Sequence, residues 1–171
     1  YKDAMEQYGS DKPDLRFDMQ LLDLEKYVMK SNFDTFKNIL KSKGRVKGIV
    51  FSEANKYSRK VIDELTSWLK DQYGVKGLAW MKCLDGKSLE GGISKFFNSD
   101  LHQEMINNFN ISEDDMMFII GDNSKITLSA LGALRLKIAK INDLIDESIF
   151  APLWVIDFPL FDWNEENNRW D

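Results

Sequence analysis

Cysteine, histidine and proline are scarce in this sequence, with one, one and three among 171 residues. A single Cys83 excludes an internal disulfide and points to a reducing compartment, so a cytoplasmic location is expected. Cys83 follows Trp80-Met81-Lys82 in a strand-like run and reads as a buried, inert thiol. The lone His102 excludes His-rich metal sites. Within Ser99-Asp100-Leu101-His102-Gln103-Glu104 it reads as a solvated helix residue, neither a ligand nor a base. Long apolar runs are also missing. Met116-Met117-Phe118-Ile119-Ile120 falls far below the ~20 residues that span a bilayer, so no membrane partner is expected. The polar start, Tyr1-Lys2-Asp3-Ala4-Met5-Glu6, has no apolar core of a signal peptide. Neither a phosphate-cradling P-loop nor a dinucleotide fingerprint is present.

What is present is an ordinary globular balance, 43% hydrophobic and 30% charged, enough for one well-buried core with appendages. The net charge of -5 argues against a chain dominated by nucleic-acid binding, but the charge is unevenly placed. Between Lys30 and Lys60 nine basic residues face only Asp34 and Glu53, a local balance of +7. From Ile141 to Asp171 eight acidic residues face Arg169 alone, a local balance of -7. Lys and Arg supply most sequence-independent affinity for phosphate backbones. Lys41, Lys43, Arg45, Lys47, Lys56, Arg59 and Lys60 are therefore the candidate nucleic-acid contacts. The densest group flanks a turn at Gly44, and strand alternation sets Arg45 and Lys47 on one face. Composition alone favours the plainer reading, a solvated lysine-rich surface.

The pattern of apolar residues interleaves helices and strands. Lys2–Tyr8 reads as a short helix ended by Gly9, followed by a turn through Ser10-Asp11-Lys12-Pro13-Asp14. Met19–Leu22 is a weak strand, and a short helical pattern runs through Tyr27 and Val28. Phe33, Phe36, Ile39 and Leu40 fit either a helix or a short strand. Val46–Phe51 is a clearer strand. Ser58 caps a helix that places Val61, Ile62, Leu65, Trp68 and Leu69 on one face and closes at Gly74. Gly77–Cys83 forms a strand before an Asp85-Gly86 turn. Then come a short strand over Gly92–Phe97, a helix capped by Ser99, a buried strand over Met116–Ile120 and a helix from about Lys125 to Ala139. Trp154–Phe158 reads as a last strand, stopped by Pro159. The expected class is α+β, with one mixed or antiparallel sheet and helices on one face.

No arrangement of residues specifies an active site. Gly86, Gly91 and Gly92 lie between strands and suit a hairpin loop better than a phosphate site. The run Glu113-Asp114-Asp115 reads as a turn before a strand, because three consecutive carboxylates do not converge on one cation. Asp63 and Glu64 point apart on their helix. Trp68, Tyr73 and Trp80 read as core.

Four strings, in order, resemble bacterial-type aspartyl-tRNA synthetases of class II. They are Tyr8-Gly9-Ser10-Asp11-Lys12-Pro13-Asp14-Leu15-Arg16, Lys76-Gly77-Leu78-Ala79-Trp80, Ala130-Leu131-Gly132-Ala133-Leu134-Arg135, and Ala151-Pro152-Leu153-Trp154-Val155-Ile156-Asp157-Phe158-Pro159-Leu160-Phe161. The resemblance implies the GAD insertion domain over 24–150, with catalytic-domain flanks at 1–23 and 151–171, and a two-layer α/β sandwich of the DCoH-like kind. It implies a parent aspartate–tRNA ligase that uses ATP and Mg²⁺ to form aspartyl-adenylate and charges tRNA(Asp). The parent would be a homodimer, and no cofactor is expected within this piece. Family catalytic residues map onto no position here, so the ends read as those of an excised, inactive piece. The implied role is contact with the tRNA acceptor stem or gating of the parent's site. A structural spacer without RNA contact, or the GAD domain of an amidotransferase GatB subunit, are the alternatives. The flanks speak against GatB. An inserted domain leaves its host where it returns, so Lys2–Asp23 and Leu153–Trp163 are expected close together. The flanks are also expected to be poorly ordered, with Phe158, Leu160 and Phe161 uncovered.

Overall fold

A computed structural model describes residues 1–161, 163–164 and 167–170. Helix α1 (Lys2–Tyr8) ends at Gly9, whose φ of 65° supplies the left-handed cap. Next come β1 (Leu22–Asp23), α2 (Glu25–Lys30), α3 (Asp34–Lys41) and β2 (Arg45–Phe51). Ser58 caps α4 (Arg59–Tyr73) by accepting from the Val61 amide, and Gly74 closes the helix. The hairpin β3 (Ala79–Cys83) and β4 (Leu89–Glu90) precedes α5 (Ser99–Phe109), β5 (Asp115–Asp122) and α6 (Ser124–Ile141). A short ribbon, β6 (Trp163–Asn164) and β7 (Arg169–Trp170), follows.

Five strands form one antiparallel sheet in the order β1-β2-β5-β3-β4. Central β5 is buried at every residue. On one side Met116, Phe118 and Ile120 pack with Ile49, Phe51 and the apolar stripes of α4 and α6. On the other, Met117 and Ile119 pack with Met81, Tyr27, Phe36 and Met105 of β3, α2, α3 and α5. The α+β class and antiparallel sheet are those expected. The placement of helices on one face only, and hence two layers, is corrected: both faces are covered. An apolar run without polar alternation is the mark of a strand buried on both sides, and 116–120 is such a run.

Three further expectations change. Gly92–Phe97 is not a strand, because Gly91 and Gly92 take φ of 73° and 50° and turn the chain into a 3-10 turn at Ser94–Phe96. The cap of α5 is Asn98, which accepts from the Leu101 amide at 2.9 Å, so Ser99 is the first helical residue. Trp154–Phe158 is not a strand either. It has no ladder partner among the described residues, and Asp157 sits at φ 57°, outside the extended region. The ambiguous stretch from Phe33 to Leu40 resolves as helix α3.

The flanks are adjacent, as expected of an insertion. The Tyr1 and Phe158 rings lie 5.0 Å apart, and the Tyr1 nitrogen reaches the Ile156 carbonyl at 2.5 Å. Phe158, Leu160 and Phe161 are exposed, together with Phe150, Trp154 and Ile156. Helix α1 lies against α6 at a crossing of two glycines. A methyl group on Gly132 would overlap the carbonyl oxygen of Gly9. One turn further along α6, the Arg135 side chain is 1% exposed. It donates to the carbonyls of Met19 (2.5 Å), Asp14 (2.8 Å) and Phe17 (3.1 Å), beneath the rings of Phe17 and Tyr8. Those bonds give an otherwise irregular segment its fixed path, since buried carbonyls need donors.

Candidate nucleic-acid interface

The seven basic candidates divide into three environments. Lys41 closes α3 and Lys43 occupies the following turn at φ 61°; both are exposed. Lys56, Arg59 and Lys60 are exposed beyond the other end of β2. The six residue steps of β2 separate the two groups by about 20 Å. The structure therefore builds two basic clusters at opposite ends of one strand, not one continuous patch.

Arg45 and Lys47 form the third environment. They share a strand face, as alternation requires, but that face looks inward toward α1. Lys47 is only 4% exposed, and its ammonium meets Glu6 at 2.9 Å. Arg45 holds Glu6 at 2.9 Å, Asp23 at 3.1 Å and Glu25 at 2.5 Å. The Arg45 guanidinium, with Lys47 beside it, pulls the Glu6 carboxyl down from an ordinary 4.5 to about 2. The same hydrogen bonds, donated to Glu6, hold Arg45 well above its ordinary value. Both cations serve the fold, and their exposure on a turn tip is corrected: sequence spacing gave their face but not what covers it.

The other basic groups are looser. Lys56 pairs with Glu53 at 2.8 Å, while Lys60 approaches Glu64 only at 3.9 Å, and both pairs are solvent-exposed. Arg59 and Lys60 open α4, whose first turn holds no acidic residue. Cations there oppose the helix dipole, a local cost that an approaching anion would relieve.

Near Lys41 and Lys43 a cleft of about 340 Å³ is lined by Asn38, Ile39, Ser42, Gly44, Lys76, Asp122 and Asn123. It lies at the end of the sheet where β2 begins, β5 ends and α6 starts. Asp122 and Lys76 carry no sequence signal for this role, since only the topology brings a β5 terminus beside the loop after α4. Cys83 is buried, and burial raises its thiol pKa. His102 is half-buried, with Nε2 3.1 Å from the Ser94 carbonyl oxygen, a correction to its solvated reading. Asp115 accepts from Ser52 and from the Ser112 amide at 2.8 Å each. Among the described residues no three His, Cys, Asp or Glu side chains gather as a metal site. No described helix is long and apolar enough to cross a membrane.

The sequence pattern of the GAD domain matches residues 36–131, from α3 through the first half of α6. This chain belongs to the GAD domain family. The match is narrower than the expected span of 24–150, leaving α1, α2 and the C-terminal half of α6 outside the shared pattern. Similarity to whole proteins extends further. The chain is 43% identical over 171 residues to an aspartate–tRNA(Asp/Asn) ligase of Anoxybacillus flavithermus, covering 99% of this chain. It is 45% identical over 170 residues to an aspartate–tRNA ligase of Halalkalibacterium halodurans, again covering 99%. A Desulfatibacillum aliphaticivorans aspartate–tRNA(Asp/Asn) ligase is 42% identical over 170 residues. The chain spans 28% of the length of each of these relatives, so this GAD domain and its flanks match one segment of a much longer protein.

Proposed function

We propose that this GAD domain is the insertion domain of an aspartate–tRNA ligase and contributes to holding the acceptor stem of its tRNA. The parent activates L-aspartate with ATP and Mg²⁺ as aspartyl-adenylate and transfers the aspartyl group to the terminal adenosine of tRNA(Asp). It works in the cytoplasm as a homodimer. Residues 1–23 and 151–171 belong to the host catalytic domain, and ATP and Mg²⁺ bind in that host. The observation that carries this reading is the 42–45% identity over nearly the whole chain, flanks included, to proteins named as such ligases.

Within the domain the stem contacts are Lys41 and Lys43 at one end of β2 and Lys56, Arg59 and Lys60 at the other. Helical RNA is gripped through phosphates and 2′-hydroxyls, which such dispersed cations suit without any base-reading motif. Arg45 and Lys47 support the fold and make no RNA contact. In the full-length protein, aspartate-dependent ATP–pyrophosphate exchange and charging of tRNA(Asp) test the activity, and absence of both overturns the assignment. Reversing Lys41, Lys43, Arg59 and Lys60 to Glu is expected to raise the KM for tRNA and leave the exchange unchanged, because activation of aspartate requires no RNA. An unaltered KM makes the domain a structural spacer.

A further inference from the structure

We propose that the cleft at the start of α6 is a subsite for one ribose phosphate unit, in which Lys76 meets the phosphate and Asp122 accepts a hydrogen bond from the 2′-hydroxyl. This deepens the RNA-contact reading and rests on it. Asp122 is the decisive group. Its Oδ1 accepts from the Asn123 amide at 2.8 Å, and its own amide donates to Thr127 Oγ1 at 3.0 Å. The residue is 7% exposed, and its second oxygen, Oδ2, is buried with no hydrogen-bond partner. A buried acceptor without a donor is costly, and a charged one more so, so the residue is suited to a ligand that brings an O–H or N–H.

The rest of the lining narrows the ligand class. Ser42, Asn38 and Asn123 present small polar side chains, and Ile39 supplies the main apolar wall. Asn123 spends its Oδ1 on capping the Ile126 amide. Lys76 is exposed and has no carboxylate partner among the described residues. A carboxylate and an ammonium line the same cleft, so neither a simple anion nor a simple cation matches both. They suit a molecule with a hydroxyl donor close to a negative group, and ribose phosphate has that pairing. The volume lies at the lower end of the ~300–1,000 Å³ typical of small-ligand sites, room for one nucleotide and not for a duplex. Exposed Lys41 and Lys43 stand beside the cleft, where a neighbouring phosphate of a strand would fall. The 2′-hydroxyl is what distinguishes RNA from DNA at such a contact.

The test is an amide NMR titration of the chain with cytidine 5′-monophosphate, its 2′-deoxy form, and single-stranded RNA and DNA of one short sequence. Shifts are expected to localise at Ser42, Gly44, Lys76 and Asn123. Ribo ligands are expected to bind about tenfold more tightly than deoxy ones, which is about 1.4 kcal/mol. Asp122→Asn, which keeps the bond from the Asn123 amide, is expected to abolish most of that preference with the melting temperature little changed. Lys76→Ala is expected to weaken ribo and deoxy ligands alike. Tighter binding of the RNA strand than of the mononucleotide makes RNA the natural source, and equal binding makes it a free nucleotide; both support the subsite. Equal affinity for ribo and deoxy ligands, or shifts elsewhere, overturns it. A duplex acceptor-stem RNA run alongside separates the two readings. Salt-sensitive duplex binding with a silent cleft removes the subsite and spares the interface, while silence in both removes both.

Discussion

Replacing Glu6 by Gln tests the claim that the inward cations Arg45 and Lys47 hold α1 on the sheet. The Glu6 carboxyl is held near 2 against an ordinary 4.5, so its ionised form is favoured by about 2.5 pH units. At about 1.36 kcal/mol per unit this amounts to about 3 kcal/mol before screening. The side chain is 31% exposed, and solvent screening reduces the figure to about 1–2 kcal/mol. The substitution also strands the Lys47 ammonium, which is 4% exposed and meets no other carboxylate among the described residues. Removing one partner of a buried pair costs about 3–5 kcal/mol, and the larger part of that falls on Lys47 because Arg45 keeps Asp23 and Glu25. Glu6 is only partly buried, which lowers that range, and we expect Glu6→Gln to lose about 2–3 kcal/mol in urea unfolding at neutral pH. The pH dependence has a defined sign. A depressed carboxyl contributes fully above pH 4.5 and loses its contribution as pH falls toward about 2. The wild-type stability curve is thus expected to fall more steeply than that of the variant across this window. Adding Lys47→Met to Glu6→Gln removes the orphaned charge and is expected to recover part of the loss. A variant within about 0.5 kcal/mol of wild type, with a parallel acid limb, refutes the reasoning.

Arg135→Leu removes the donor shared by the Met19, Asp14 and Phe17 carbonyls and is expected to cost at least about 3 kcal/mol, measured by urea unfolding. The same variant is expected to open the segment from Gly9 to Leu21 to limited proteolysis, with Arg135→Lys restoring only part of the protection. Gly132→Ala forces α1 off α6 and is expected to cost about 1–3 kcal/mol, read as lost hydrogen-exchange protection at the Met5 and Gly9 amides. Burial, with the Glu53 carboxylate behind it, raises the Tyr57 phenol from an ordinary 10.0 to about 12. Stability from this group is whole below pH 10 and lost as pH rises toward 12, so phenolate absorbance is expected to appear together with alkaline unfolding.

Local chemistry was the legible part of this sequence. Gly9, Ser58 and Gly74 mark helix ends because caps depend on a single residue and its immediate amides. The strand over Val46–Phe51 and the helix burying Ile62, Leu65 and Leu69 follow from periodicity that tertiary contacts did not override. Placement relative to a partner was not legible. Arg45 and Lys47 read as a basic tip because their counter-charges, Glu6, Asp23 and Glu25, lie 20 to 41 residues away in sequence. The apolar run 116–120 was read as buried, yet it took the two clusters on either side to show that helices cover both faces. Trp154–Phe158 has strand composition but no ladder partner among the described residues, and a strand without a ladder leaves its backbone polar groups to water. The cleft was invisible for a related reason, since only the fold brings Asp122 and Lys76 into the lining of one cleft.

Helix α6 joins the two halves of the functional reading. Its cap, Asn123, borders the cleft, and Gly132 lies nine residues on, about 14 Å along the axis at 1.5 Å per residue. There the helix meets α1 with backbone against backbone, and at Arg135 it holds the segment from Asp14 to Met19 by three hydrogen bonds. The flank containing α1 is tied again, independently, by Glu6 to β2, the strand whose start forms part of the same end of the sheet. Two unrelated devices, one steric and one ionic, thus fix the flank to the elements that shape the cleft. Close-packed contacts of this kind shift as units and do not deform continuously. A displacement of α1 would therefore move α6 and the start of β2 together, and the groups around Asp122 with them. Gly132→Ala loosens the steric tie alone and Glu6→Gln the ionic tie alone, so comparing the two variants in the tRNA assay tests the proposed interface and which tie supports it.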